Sequence, residues 1–74
     1  MTQIEKTRFP DSTAVGAIAY RASERALDVT FVSGQVYRYF DVPAEVYDRF
    51  RSAESAGHFL HEEILDRYAF KRLR

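Results

Sequence analysis

"FVSGQVYRYFDVP", residues 31–43, decides how the strands of this protein are put together. Tyr37 and Tyr39 stand two apart with Arg38 between them. Side chains alternate along a strand, so both rings share one face and the guanidinium takes the other. The stretch just upstream, "ALDVTFV" (26–32), alternates cleanly, with Leu27, Val29 and Phe31 on one face and Asp28 and Thr30 on the other. The apolar set belongs to the core. The direction of the tyrosines then follows from the turn at Ser33-Gly34. A tight two-residue turn puts Phe31 opposite Val36 and Val29 opposite Arg38, and the two rings share the solvent face with Asp28 and Thr30. If Gly34 is instead the bulge residue of a longer loop, Phe31 meets Gln35, Val29 meets Tyr37, and both rings turn inward. Serine is tolerated rather than preferred in the tight turn, and glycine suits the bulge. Against that, Val36 and Phe40 are better core formers than two phenols that need hydrogen-bond partners. Both registers stay open at this point.

Working outward, "VGAIAYRA" (15–22) is an apolar run that reads as a first strand, with Ser23 to Arg25 as the turn into "ALDVTFV". "QVYRYF" (35–40), rich in β-branched and aromatic residues, is the third strand. Downstream, Asp41 is placed as a helix cap and Pro43 in the first turn. Val46, Tyr47, Phe50 and Ala53 recur at helical spacing. Gly57 reads as a break between two helices, Ser55 as a second N-cap, and Phe59, Leu60, Ile64, Leu65 and Tyr68 as the stripe of the second helix. The end "KRLR" follows as an extended or frayed tail. Strands grouped before helices predict an α+β domain, a three-stranded antiparallel β-meander followed by two α-helices packed on one face. Residues 1–12 lack periodicity and end in the turn-like Pro10-Asp11-Ser12, so they are set apart as a flexible arm, leaving 13–74 as a single domain.

At 74 residues the chain is one small domain; such a domain buries only roughly 60% of its unfolded surface. There is no cysteine, hence no disulfide and no thiolate metal site. No apolar run reaches the ~20 residues that span a bilayer, and "MTQIEKTRFPDS" has no basic stretch followed by an apolar one, so no membrane association is expected and the cytoplasm is the expected location. Lys plus Arg and Asp plus Glu are 11 each, which argues against a sequence-blind polyanion binder. The cations are unevenly chosen and unevenly placed. Only Lys6 and Lys71 are lysines, and the rest are arginines, suited to forked contacts with phosphate and to stacking. "RYAFKRLR" (67–74) carries Arg67, Lys71, Arg72 and Arg74 without an acid. This end reads either as a solvated tail complementing a helix dipole or as a handle for nucleic acid or an acidic partner.

The ordered set Ile18-Ala19-Tyr20, "LDVTF", "SGQVYRY", "DVPAEVY", "AESAGHFLHEEI" and Tyr68 resembles the KTSC domain, over about Ser12 to Leu73. That family is named for its occurrence at the C-terminus of some lysyl-tRNA synthetases, and it also occurs as a stand-alone protein. The resemblance brings no established activity. Through the company of a tRNA enzyme it implies RNA, single-stranded or transfer RNA, as the favoured ligand. The chain departs from the family in carrying His58 after Gly57, where members often have lysine or asparagine.

Outward-facing Tyr37 and Tyr39 would stack unpaired bases, at ~1–3 kcal/mol per base, with Arg21, Arg67, Lys71, Arg72 and Arg74 on the phosphates. The same rings would serve equally as anchors in a protein interface, the alternative reading being a protein–protein interaction module or a small regulator of a larger protein. Catalysis is not expected. His58 and His61 are three apart, not the four of the zinc-protease helix, and no metal or other cofactor is called for. Asp41, Glu45 and Asp48 suit the positive end of a helix. Ser33, Ser52 and Ser55 lack an adjacent His and acid, and Gly16, Gly34 and Gly57 are too far apart for a phosphate-cradling loop.

Overall fold

The computed structural model describes residues 4–74. Five strands form one antiparallel sheet in chain order: β1 (Ile4–Arg8), β2 (Val15–Arg21), β3 (Ala26–Phe31), β4 (Val36–Tyr39) and β5 (Phe70–Arg72). Between β4 and β5 come α1 (Ala44–Arg51) and α2 (Ala56–Phe59), the latter continued by a π-helical turn over Leu60–Ile64. The α+β class and the three central strands agree with the sequence reading, but the sheet has five strands rather than three. The two additional strands are its edges. β1 lies inside the stretch set apart as an arm and pairs with β2 from Ile4↔Arg21 to Arg8↔Ala17. β5 lies in the expected tail and pairs with β4 from Tyr37↔Arg72 to Tyr39↔Phe70. Both are largely exposed and carry cations, Lys6 and Arg8 on one and Lys71 and Arg72 on the other. Such charges hinder further strands from adding to an open edge.

The β3–β4 hairpin takes the bulged register. The Gly34 N–H donates to the Phe31 carbonyl (2.9 Å) and the Phe31 N–H to the Gln35 carbonyl (2.8 Å). Gly34 sits at φ +102°, where a side chain would be strained. Thr30 then faces Val36, Val29 faces Tyr37, Asp28 faces Arg38 and Leu27 faces Tyr39. Both tyrosines therefore point to the helix side, and Tyr39 is 2% exposed. The solvent-facing tyrosine platform is excluded by this register. A second irregularity, between Val15 and Ala17, keeps Val15 and Ile18 on the same inward face.

The core lies between the inner sheet face and the helices. Ile18, Leu27 and Val29 pack with Val42, Phe50 and Ile64, all at most 1% exposed. Phe50 gathers two further rings, Phe9 at 5.8 Å and Phe59 at 4.8 Å between centroids. Two of the buried phenols hydrogen-bond within the fold. The Tyr20 hydroxyl donates to the Val42 carbonyl (2.6 Å), its ring stacks on Tyr47 at 5.4 Å, and the Tyr47 hydroxyl meets Thr7 Oγ1 at 2.8 Å. This last bond ties β1 to α1 across the sheet. No buried side-chain polar atom lacks a partner among the described residues.

Two local expectations change. Asp41 does not cap α1. It takes a left-handed conformation (φ +58°), and Pro43 is the residue that flanks the helix, without a side-chain cap bond. Gly57 lies within α2 rather than between helices; a Cβ there would come within 3.2 Å of the Ala14 methyl group, so the glycine allows the helix to approach the β1–β2 connection. Ser55 does cap α2, accepting from the His58 N–H at 3.2 Å. None of the helices is long and apolar enough to cross a membrane among the described residues.

Candidate nucleic-acid interface

With the tyrosines turned inward, Arg38 turns outward, and the register carries this choice across the whole sheet. Lys6 pairs with Ala19, Ala19 with Asp28, Asp28 with Arg38, and Arg38 with Lys71. These five residues form one row across all five strands on the face away from the helices. At roughly 4.8 Å per strand the row is about 19 Å long. On one side it is flanked by Arg8, Ala17, Thr30 and Val36, on the other by Ile4 and Arg21. The face thus presents Lys6, Arg8, Arg21, Arg38 and Lys71 against Asp28 on the strands, with Glu24 of the β2–β3 turn beside Arg21. Its centre is low, because Ala17, Ala19 and Thr30 project little beyond the backbone.

Asp28 organises the middle of this face. Arg38 grips it with two parallel bonds, Nε to Oδ1 at 2.7 Å and Nη2 to Oδ2 at 2.9 Å. Arg21 Nε reaches Oδ2 at 3.4 Å from the other side, while its Nη1 lies 3.6 Å from Glu24. One carboxylate therefore holds two guanidiniums, and only two of the five N–H donors of Arg38 are engaged by it. Burial pushes the Asp28 carboxyl up, but the hydrogen bonds and charges of Arg38 and Arg21 outweigh it and leave the group below its ordinary range. Arg38 is shifted upward, chiefly by the same bond to Asp28, against partial desolvation. Burial, with a smaller contribution from Tyr37, raises the Tyr39 phenol. The bonds between Asp28 and Arg38 thus favour the charged form of both.

The neutral total charge conceals a separation. The helical layer, residues 44–67, carries Glu45, Asp48, Glu54, Glu62, Glu63 and Asp66 against Arg49, Arg51 and Arg67. Arg49 bridges Glu63 at 2.6 Å, tying α1 to the π turn within this acidic layer. Positive charge is thus concentrated on the open sheet face and negative charge on the helix side.

The residues singled out from sequence are divided by this geometry. Arg21 and Lys71 lie on the basic face. Tyr37, Tyr39 and Arg72 lie on the opposite face, and Arg72 Nε bonds the Arg74 carbonyl at 3.1 Å. Arg67 follows the π turn and donates through Nε to the Glu62 carbonyl at 3.1 Å. The carbonyl of Arg74 accepts from the Val36 N–H at 3.2 Å, continuing the β4–β5 ladder. The C-terminal cations therefore form no single handle. Lys6, Arg8 and Arg38 were missed. For Lys6 and Arg8 the alternation in "IEKTR" is the sequence signal, legible only once that segment is known to be a strand, and for Arg38 the signal is the Tyr-Arg-Tyr alternation, whose direction waits on the hairpin register.

The KTSC domain model matches residues 11–68. A protein of Tsukamurella paurometabola is 36% identical over 58 residues, covering 78% of this chain and 87% of its own length. The lysine–tRNA ligases of Nostoc sp. and Trichormus variabilis are each 30% identical over 64 residues, which is 86% of this chain but only 11% of either ligase. Among solved structures, the KTSC domain protein of Yersinia pestis superposes with a TM-score of 0.86 at 25% identity, covering 97% of this chain and all of that one. Family model, relative and fold agree over the strands and helices described above, and the chain belongs to the KTSC domain family.

Proposed function

We propose that this domain is a non-enzymatic RNA-binding module that lays the phosphate backbone of a structured RNA across the open face of its sheet. The observation that carries the reading is the row Lys6–Ala19–Asp28–Arg38–Lys71, with Arg8 and Arg21 beside it. Cations held on a low, uncovered surface match a backbone that is recognised by charge and shape rather than by base edges. The presence of a similar segment within lysine–tRNA ligases supports RNA as the polyanion. The acidic helix layer orients the encounter, since it repels the same backbone.

The test is a titration of fluorescent transfer RNA over a series of salt concentrations. Log affinity should fall linearly with log salt. Lys6→Ala with Lys71→Ala, both on exposed edge strands, should flatten that slope by about two contacts while leaving the melting temperature nearly unchanged. Absence of binding at low salt overturns the reading, and recovery of a protein partner in its place favours a protein-interaction module.

A further inference from the structure

On the helix side of the sheet the helices cover the core but stop short of the β4–β5 edge. Phe70 on β5 is 60% exposed. It is not isolated, since Tyr37 lies 5.5 Å and Tyr39 5.9 Å from it between ring centroids, and Phe31 stands edge-on to Tyr37 at 5.6 Å. The buried Tyr39 and half-buried Tyr37 thus hold an exposed ring in a fixed orientation. Arg72, directly opposite Tyr37, puts a cation on the same face. Lys71, between Phe70 and Arg72 in sequence, projects to the other face, where it ends the basic row.

We infer that Phe70, backed by Tyr37 and flanked by Arg72, is a stacking site for unpaired bases, filled by a single strand that leaves a duplex on the basic face and crosses the β5 edge. The inference rests on the RNA reading above for its ligand and adds the class of RNA, a duplex adjoining unpaired nucleotides. A ring held by two others presents its π-face without loss of side-chain freedom on binding, and base–aromatic stacking is tolerant of sequence. The guanidinium of Arg72 supplies the phosphate contact that a stacked nucleotide requires. The path is short, because consecutive residues of one three-residue strand serve the two faces.

Three probes decide it: a blunt RNA stem-loop, the same stem-loop with a short single-stranded tail, and the tail alone. The tail should raise affinity for the stem-loop by about tenfold, the effect of one stacked base. Phe70→Ala should abolish this gain, keep binding of the blunt stem-loop within about twofold, and leave the melting temperature near that of the unaltered protein. Phe70→Trp should restore the gain, which a merely structural role for the ring would not produce. An unchanged gain in Phe70→Ala, or no gain in the unaltered protein, overturns the inference while leaving backbone binding intact. If the blunt stem-loop does not bind, the proposed function fails, and the tail alone then decides the stacking site: Phe70-dependent binding upholds it and no binding removes it. A dimer in sedimentation that Phe70→Ala dissociates would assign the ring to a second copy of the chain and overturn the inference.

Discussion

Strands β3 and β4 carry different chemistry on their two sides. Toward the helices stand Leu27, Val29, Tyr37 and Tyr39, all but Tyr37 nearly sealed from water. Away from them stand Asp28, Thr30, Val36 and Arg38, joined at the centre by a two-bond ion pair. The inner side is held by burial, in which every methylene counts. The outer side is held by a local electrostatic arrangement that could be altered without unfolding the domain. Stability and recognition are thus assigned to alternate residues of one segment, and neighbours in sequence should respond to substitution in opposite ways.

The sharpest contrast lies between Tyr39 and Arg38. Tyr39→Ala removes a ring that is 2% exposed, at a cost of about 2–4 kcal/mol. In a domain this small, whose net stability is ~3–5 kcal/mol, that should lower the melting temperature by roughly 8–30 °C, as followed by circular dichroism. One residue earlier, Arg38→Ala should cost less, about 1–2 kcal/mol, because Asp28 retains Arg21. Its effect should appear in RNA titration as a loss of several-fold in affinity and a salt dependence shallower by about one phosphate contact. If Arg38→Ala melts the domain and Tyr39→Ala does not, the assignment of the two faces is wrong.

The smallest effect concerns Asp28. Its folded-state carboxyl is held below the ordinary value by Arg38 and Arg21, so its ionised form favours the folded state. The contribution is fully present above the unfolded value of roughly 3.9 and is lost as pH falls through the lower folded value. Asp28→Asn should therefore be less stable than the unaltered protein at neutral pH, and the difference should shrink during acid unfolding below about pH 4. At neutral pH the same change removes the central acid of the basic face and should tighten RNA binding. Weaker binding would show that Asp28 acts mainly by holding Arg38 in place.

Much of the architecture was legible from local pattern. The alternation in "ALDVTFV", the aromatic run at 36–40 and the apolar stripes around Phe50 and Ile64 each have a buried face, and burial is what leaves a periodic trace in sequence. The edge strands leave almost none. "IEKTR" and "FKR" have one neighbour each, bury little and are rich in cations, so their composition matches that of a tail. The candidate site was hidden for the same reason. Lys6 and Lys71 lie 65 positions apart, and only the completed pairing of all five strands places them at opposite ends of one row. Arg21 could be named beforehand because it ends a strand that does have a core face. The tyrosine direction rested on a single backbone geometry, that of Gly34.

That geometry has a consequence for how the segment can change over time. Val32, Ser33 and Gln35 are exposed, so their identities are nearly free, but the number of residues between Phe31 and Val36 is not. Losing one would rotate all of β4 by half a turn, driving a guanidinium into the hydrocarbon and two phenols into water. The loop therefore works as a length gauge: related sequences should vary in spelling there while conserving the count.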